Sequence, residues 1–228
     1  MPEKQRRGYL VAILIGLGQK QTSIWRIYSE IAKLEKILLV NRDDEKILYI
    51  QHEEVISLIR PTVKSGITSV IIASPSRSKF ADAFLDHVRK RHRWLVEGKN
   101  SITIGEVTGA ADTAKSAYEL VKGTNFKNVL SEITSQDLEQ IQADLERGIK
   151  KDEILYTINE IHYQIRKEEK PSLILITDVF YEDHRRNQRL QSFLQLAQNN
   201  LIKTRIIRAD SLAGSRIQQF GGLVALLK

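Results

Sequence analysis

The chain contains no cysteine among its 228 residues, which excludes disulfides, thiolate zinc sites and cysteine nucleophiles. Proline and glycine are scarce, with 4 and 12 residues, so long disordered or collagen-like segments are not expected. The apolar stretch at residues 9–17 is too short to span a bilayer and lacks the small-residue cleavage site of a signal peptide. These absences predict a soluble, cytoplasmic protein with no membrane partner.

The charge of the chain is modestly positive, since 35 Lys and Arg face 28 Asp and Glu, a formal net charge of +7. Residues 1–125 contain 20 basic and 14 acidic residues, whereas residues 126–228 contain 15 and 14. The two parts therefore carry +6 and +1, and most of the excess lies in the first. A positive field of this kind favours polyanionic partners such as nucleic acid.

Strand and helix patterns alternate along the chain, which predicts an α/β protein with helix-covered sheets. Apolar or alternating runs predict strands at residues 9–17, 22–29, 33–40, 68–73, 101–104, 172–177 and 204–207. Helical spacing predicts helices at residues 53–65, 79–94, 112–121, 135–147, 151–167 and 185–198. The polar segment 122–125 separates the two halves, so we predict domains at residues 1–125 and 126–228.

The final segment, residues 211–228, contains a Ser-x-x-Gly turn before a helix, a Gly-Gly turn after it and an apolar strand that finishes in Lys228. This arrangement resembles the closing segment of the C-terminal domain in the Pelota and archaeal–eukaryotic class 1 release factor family. Residues 172–178, Ser-Leu-Ile-Leu-Ile-Thr-Asp, resemble a strand of the same domain. The hairpin at residues 9–29, the strand at 70–73 with its Ser-Pro loop and the Ile-Gly-Glu-Val-Thr-Gly run at 104–109 are similar in order to the family's central domain.

The resemblance implies a ribonuclease-H-like domain of the family's central type, followed by an α/β sandwich of its C-terminal type. The family's N-terminal decoding domain has no counterpart in this sequence. Release factors also carry a Gly-Gly-Gln loop between an early strand of the central domain and the next helix. The corresponding interval here, roughly residues 40–55, contains no glycine. The resemblance therefore points to the Pelota branch, and peptide release by the usual chemistry is not expected.

Two glutamines are candidates for an atypical hydrolytic site. Gln19 closes the run Gly-Leu-Gly-Gln, which is similar to the Gly-x-x-Gln motif of some release-factor-like hydrolases, although a hairpin turn explains the same residues. Gln51 lies near the interval in which the family's catalytic loop falls. Either side chain could orient a water against an ester.

No metal ion or other cofactor is expected from the sequence. The five histidines show no close ligand spacing with a carboxylate, so surface or capping roles are predicted for them: His52, His87, His92, His162 and His184. His87 and His92 are five residues apart, a spacing that suits one helix face poorly. The first strand lacks the carboxylates that two-metal nuclease chemistry requires, and no phosphate-binding loop is present.

The densest basic run is the candidate nucleic-acid-binding site, and it comprises Arg89, Lys90, Arg91, Arg93 and Trp94. The cations could contact ribosomal RNA phosphates, with Trp94 either stacked on a base or packed beneath the helix. The alternative is a solvated helix end, where cations complement the helix dipole.

The resemblance together with the missing Gly-Gly-Gln implies a translation-associated adaptor for ribosome binding or ribosome rescue, similar to a truncated Pelota. Its expected partners are the ribosome or ribosomal RNA, with a translational GTPase or a ribosome-recycling ATPase. A non-enzymatic role is favoured. Two alternatives stay open: a Gln-dependent peptidyl-tRNA hydrolase and a generic RNA-binding module.

Overall fold

The computed structural model describes residues 8–29, 31–98 and 101–227, which form two compact units. The first unit contains the described residues up to Val63 and those from Ile67 to Gln136. The second contains Lys64–Gly66 and the described residues from Asp137 onwards. Both units combine a β-sheet with helices, so the predicted α/β class with two domains is confirmed.

The first unit is built on a five-stranded sheet whose strand order is β3-β2-β1-β4-β5. Its elements are β1 (Leu10–Leu17), β2 (Gln21–Tyr28), β3 (Ala32–Leu39), α1 (Glu45–Lys64), β4 (Ser69–Ser74), α2 (Phe80–Arg91), α3 (Arg93–Val96), β5 (Thr103–Thr108), α4 (Ala114–Lys122) and the first part of α5 (Thr124–Lys151), up to Gln136. The first three strands are antiparallel, and β4 and β5 run parallel to β1. This order and direction are those of a ribonuclease-H-like sheet.

The two faces of this sheet carry separate cores, because side chains alternate along each strand. In β1, Ile13 and Ile15 face the cluster that α1 and α2 cover. Ala12 and Leu14 face the cluster that contains Trp25 and the first turns of α5. The apolar stretch at residues 9–17 therefore contains the central strand β1, which is buried from Ala12 to Leu17.

The second unit has a four-stranded sheet of order β6-β9-β7-β8. Its elements are β6 (Ile154–Leu155), α6 (Ile158–Ile165), β7 (Leu173–Thr177), α7 (Asp178–His184), α8 (Gln188–Asn199), β8 (Lys203–Ile207), α9 (Leu212–Gln219) and β9 (Leu223–Leu226). Strands β7 and β8 are parallel, whereas β9 is antiparallel to both β6 and β7. Helices α6 and α8 cover one face, and α9 with the second half of α5 covers the other.

The closing motif has the local structure that the sequence predicts. Ser211 caps α9, and its Oγ accepts a hydrogen bond of 3.0 Å from the backbone N–H of Gly214. Gly221 and Gly222 follow the helix with φ of +92° and +87°, a region that glycine enters without strain. The apolar strand β9 then pairs with β7. Lys228, which ends the predicted motif, lies outside the described residues.

Several element boundaries differ from the prediction. Helix α1 begins at Glu45, eight residues before the predicted start, because Asp44 Oδ1 accepts hydrogen bonds from the first turn. The chain enters α5 at Thr124, within the predicted domain boundary, and the two compact units divide inside this helix, at Gln136. The helix predicted at residues 151–167 is instead the short strand β6 followed by α6. Within the described residues, no helix is long and apolar enough to cross a membrane.

Candidate functional site

The predicted basic run occupies the end of α2 and the start of α3. Arg89, Lys90 and Arg91 form the last turn of α2, and Arg93 opens α3; all four side chains are exposed. Cations in the last turn complement the partial negative charge of the helix C-terminus. Arg89 also lies 3.8 Å from Asp86, but both groups are highly exposed, so this pair contributes little to stability. The run therefore presents four positive charges to solvent.

Trp94 lies at the surface of the same segment and is 40% exposed. The guanidinium carbon of Arg60, on α1, lies 5.1 Å from the centre of its ring, a cation–π contact. The neighbouring Leu95 is completely buried and anchors α3 in the core. Packing of Trp94 beneath the helix is therefore not observed, since Leu95 takes that place, and stacking of Trp94 on a base stays a prediction.

A cluster of one carboxylate and two imidazoles lies beside the basic run. Glu53 Oε1 accepts hydrogen bonds of 2.8 Å from His87 Nε2 and from His92 Nε2. The imidazole side chains are only 8% and 10% exposed, whereas the Glu53 side chain is 36% exposed. The hydrogen bond from His92, together with that from His87, lowers the pKa of Glu53 against the opposing effect of desolvation. We call Glu53, His87 and His92 the His–Glu cluster.

Two further side chains of α1 hold the ring of His87. Tyr49, His52 and Glu53 are spaced by three and four residues, so they share one face of α1. The rings of Tyr49 and His52 lie 5.0 and 5.1 Å from that of His87, both in edge-to-face contact. Burial, and then electrostatic interactions with His87 and Arg42, lower the pKa of His52 to about 4. His52 is therefore neutral at physiological pH, and its buried Nε2 has no hydrogen-bond partner within the described residues.

The His–Glu cluster was missed by sequence reasoning, which predicted surface or capping roles for all histidines. His52 and His92 are buried, so a surface role is wrong for them. The spacing argument fails because α2 ends at Arg91, and His92, its C-cap, leaves the helical path at φ −129°, ψ 49°. The ring of His92 thus reaches the same carboxylate as His87. The sequence prediction continued this helix to residue 94. A helix that ends at residue 91, between the two histidines, would have allowed both rings to be placed near one carboxylate.

The two candidate glutamines lie in different elements. Gln19 is exposed in the turn between β1 and β2. Gln51 is on α1, and its Nε2 donates a hydrogen bond of 2.5 Å to the carbonyl of Leu39 at the end of β3. The β3–α1 connection, in which the family's catalytic loop would fall, is only residues 40–44. Arg42 fixes this connection, since its Nε donates to the carbonyl of Gly18 at 2.8 Å.

Comparisons with known proteins bear on the fold. No protein-family model matches the sequence, and no curated protein matches it. Among solved structures, Dom34 of S. cerevisiae matches with a TM-score of 0.53 and 15% identity, over 96% of this chain and 63% of Dom34. An archaeal Pelota, from a ribosome-bound complex with ABCE1, matches with a TM-score of 0.52 and 10% identity, over 99% of this chain and 62% of that one.

These matches show a shared two-domain α/β fold across nearly the whole of this chain. The chain spans less than two thirds of the length of Dom34 and of the archaeal Pelota. Dom34 is described as a translation termination-like factor that is involved in RNA quality control pathways and interacts with Hbs1. At 10–15% identity the likeness is one of fold.

Proposed function

We propose that this chain is a translation-associated adaptor that binds the ribosome and does not release peptides by Gly-Gly-Gln chemistry. The observation that carries the proposal is the fold shared with Dom34 and Pelota over 95–99% of the chain. The short β3–α1 connection supports it, because residues 40–44 contain no glycine and leave no room for a long catalytic loop. The hydrogen bond from Gln51 Nε2 to the carbonyl of Leu39 supports a structural role for this glutamine.

The expected partners of this chain follow from the fold that it shares with Dom34 and Pelota. Dom34 interacts with Hbs1, and the archaeal Pelota is bound to the ribosome with ABCE1. We therefore expect this chain to act with a translational GTPase or with a ribosome-recycling ATPase. Ribosomal RNA is the expected ligand of the basic run, since Arg89, Lys90, Arg91 and Arg93 are exposed together on one short segment. Most contacts of this kind are to phosphates, which position a protein without reading sequence.

The proposal is tested by co-sedimentation of the purified chain with ribosomes at increasing salt concentration. The variant changes all four cations of the run to Glu. Each phosphate contact contributes roughly −0.7 to −0.9 to the slope of log affinity against log salt. If all four cations contact phosphates, the variant should bind more weakly, with a slope shallower by about 3.

A matched control reverses four exposed cations of the second unit, which changes the net charge by the same amount: Lys150, Lys151, Arg166 and Lys167. This control should sediment with ribosomes like the wild type. Equal loss in both variants would show a general charge effect and no specific role for the run. No co-sedimentation of the wild type at low salt, with or without an added GTPase, would refute the adaptor function.

A further inference from the structure

We propose that the His–Glu cluster is a binding site for a divalent transition-metal ion, with Zn²⁺ as the best match. Glu53, His87 and His92 each offer one ligand atom, and these three atoms all lie within 4.8 Å of one another. Two imidazoles and one carboxylate form a ligand set that suits zinc and its neighbours, whereas Mg²⁺ and Ca²⁺ prefer oxygen ligands. Ion binding at this site does not depend on the ribosome-binding role proposed above.

The distances from Glu53 Oε1 to the two imidazole nitrogens are close to those of an occupied site. With zinc–ligand bonds of about 2.0–2.2 Å, the ligand atoms of a tetrahedral site lie about 3.3 Å apart. Glu53 Oε1 now lies 2.8 Å from each Nε2. An ion that replaces the two hydrogen-bonding protons would need Glu53 Oε1 to move away from each imidazole nitrogen by about 0.5 Å. The Glu53 side chain is 36% exposed and can make this movement without disturbing the core.

Both imidazoles are held in place before any ion binds. Tyr49 and His52 pack edge-to-face near the ring of His87. His92 is fixed through its backbone, because its N–H donates to Val88 O and its carbonyl accepts from Leu95 N–H, each at 2.8 Å. A site with pre-positioned ligands loses little conformational entropy on binding.

The alternative explanation of the His–Glu cluster is that its hydrogen bonds only stabilise the fold. The surroundings of His52 are evidence against this explanation. Its ring is buried beside His87, and its Nε2 lacks a partner within the described residues. An unsatisfied buried polar atom is costly, so a cluster that served the fold alone would be expected to give His52 Nε2 a partner. Three protein ligands leave an open coordination position, and the exposed side of Glu53 gives an ion access to the cluster.

The consequence of metal binding would be a cross-link between α1, which carries Glu53, and the end of α2, which carries both histidines. Arg89, Lys90 and Arg91 lie between the two imidazole ligands in sequence. The ion would therefore hold the helix end that presents these cations. Binding of the ion itself requires no ribosome.

The experiment uses the full chain, freed of metal with a chelator and titrated with Zn²⁺ by calorimetry and with Co²⁺ by visible absorption. We expect one ion per chain, a Co²⁺ spectrum of low coordination number and a Zn²⁺-dependent rise in Tm. Glu53→Gln and His92→Ala should each weaken binding by more than the roughly 10–100-fold that loss of an outer-shell partner causes. His162→Ala, at a partly exposed histidine of the second unit, should bind like the wild type.

Two results would overturn the proposal. One is the absence of saturable binding of Zn²⁺ and Co²⁺ to the wild type. The other is unchanged affinity in Glu53→Gln and His92→Ala. Glu53→Gln keeps an oxygen that can accept hydrogen bonds from both histidines, so we expect this variant to fold like the wild type. Circular dichroism before the titration verifies the fold. Since no ribosome is present, failure here leaves the adaptor function untouched, and failure of ribosome binding leaves the metal site untouched.

Discussion

Single residues in the basic run have separable roles, because burial changes sharply from one position to the next. Arg93 is exposed, Trp94 is 40% exposed and Leu95 is completely buried. The structure therefore divides the segment into side chains that are available to a ligand and one that holds α3 to the core. This division allows stability and binding to be tested at neighbouring positions.

Trp94→Ala is expected to reduce ribosome binding with little loss of stability. The substitution removes an exposed ring and its contact with Arg60, which is worth about 0.5–1 kcal/mol at an exposed site. Leu95→Ala is the matched control and should lower the free energy of unfolding by roughly 2–5 kcal/mol. Urea unfolding and co-sedimentation measure the two effects. A large loss of stability in Trp94→Ala, with unchanged binding, would show that the ring serves packing only.

Gly214→Ala is expected to destabilise the second unit. A Cβ at this position would lie 1.9 Å from the carbonyl oxygen of Arg208, a backbone atom that cannot move aside cheaply. Overpacking of this kind typically costs roughly 1–3 kcal/mol. Ser215→Ala, at the next and exposed position of α9, should be almost neutral. Thermal unfolding measures the Tm of both variants. Equal Tm values would contradict the close approach of Gly214 to the carbonyl oxygen of Arg208.

Secondary-structure elements with a strong period could be predicted from the sequence, and those defined by caps were missed. The buried strands at β1, β4 and β7 follow directly from their apolar runs. The predicted helix over residues 151–167 fails because Asp152 has φ +57°, which ends α5, and the next residues extend into β6. The start of α6 was nevertheless visible, since Thr-x-x-Glu at residues 157–160 is a capping-box pattern.

Thr157→Ala is expected to destabilise α6 by about 1 kcal/mol, the usual cost of losing an N-cap hydroxyl. The Thr157 side chain accepts a hydrogen bond from Glu160 N–H, and the Glu160 side chain accepts one from Thr157 N–H. The hydrogen bond with the Thr157 side chain is the main cause of the lowered pKa of Glu160, with further bonds from backbone N–H groups. In Thr157→Ala this pKa should therefore rise toward its ordinary value.

NMR titration of Glu160 and urea unfolding measure these two changes. Thr157→Ser keeps a hydroxyl at the N-cap and is the matched control, in which both quantities should stay close to those of the wild type. An unchanged Glu160 pKa in Thr157→Ala would mean that the hydrogen bond between Glu160 and the Thr157 side chain does not persist in solution.

The whole molecule contains two units, each with its own apolar clusters on the two faces of its sheet. The α/β class could be predicted from alternating patterns and from the resemblance. The division inside α5 could not, because Gln136 lies in the middle of a helical segment with no break in composition. The His–Glu cluster was likewise hidden, since it depends on contacts between residues more than thirty positions apart, as between Glu53 and His87.

Phe193→Ala is expected to speed amide exchange in the second unit and to leave the sheet of the first unit protected. Phe193 is 1% exposed between α8 and its sheet, and its truncation should cost roughly 3–5 kcal/mol. Phe84→Ala, in the core of the first unit, should show the reverse pattern. Hydrogen exchange with mass spectrometry measures both variants. Faster exchange in both sheets of either variant would show that the two units unfold together.

The position of β3 at the end of the five-stranded sheet has a consequence for self-association. An outer strand presents unpaired backbone groups that can template pairing with another chain, and the exposed Leu39 and Ile37 would favour it. Lys33, Glu35 and Lys36 interrupt this strand with exposed charges. Pairing of this edge with a second chain would place charged side chains on both faces of the new strand pair. The exposed charges of β3 therefore disfavour aggregation through this edge of the sheet.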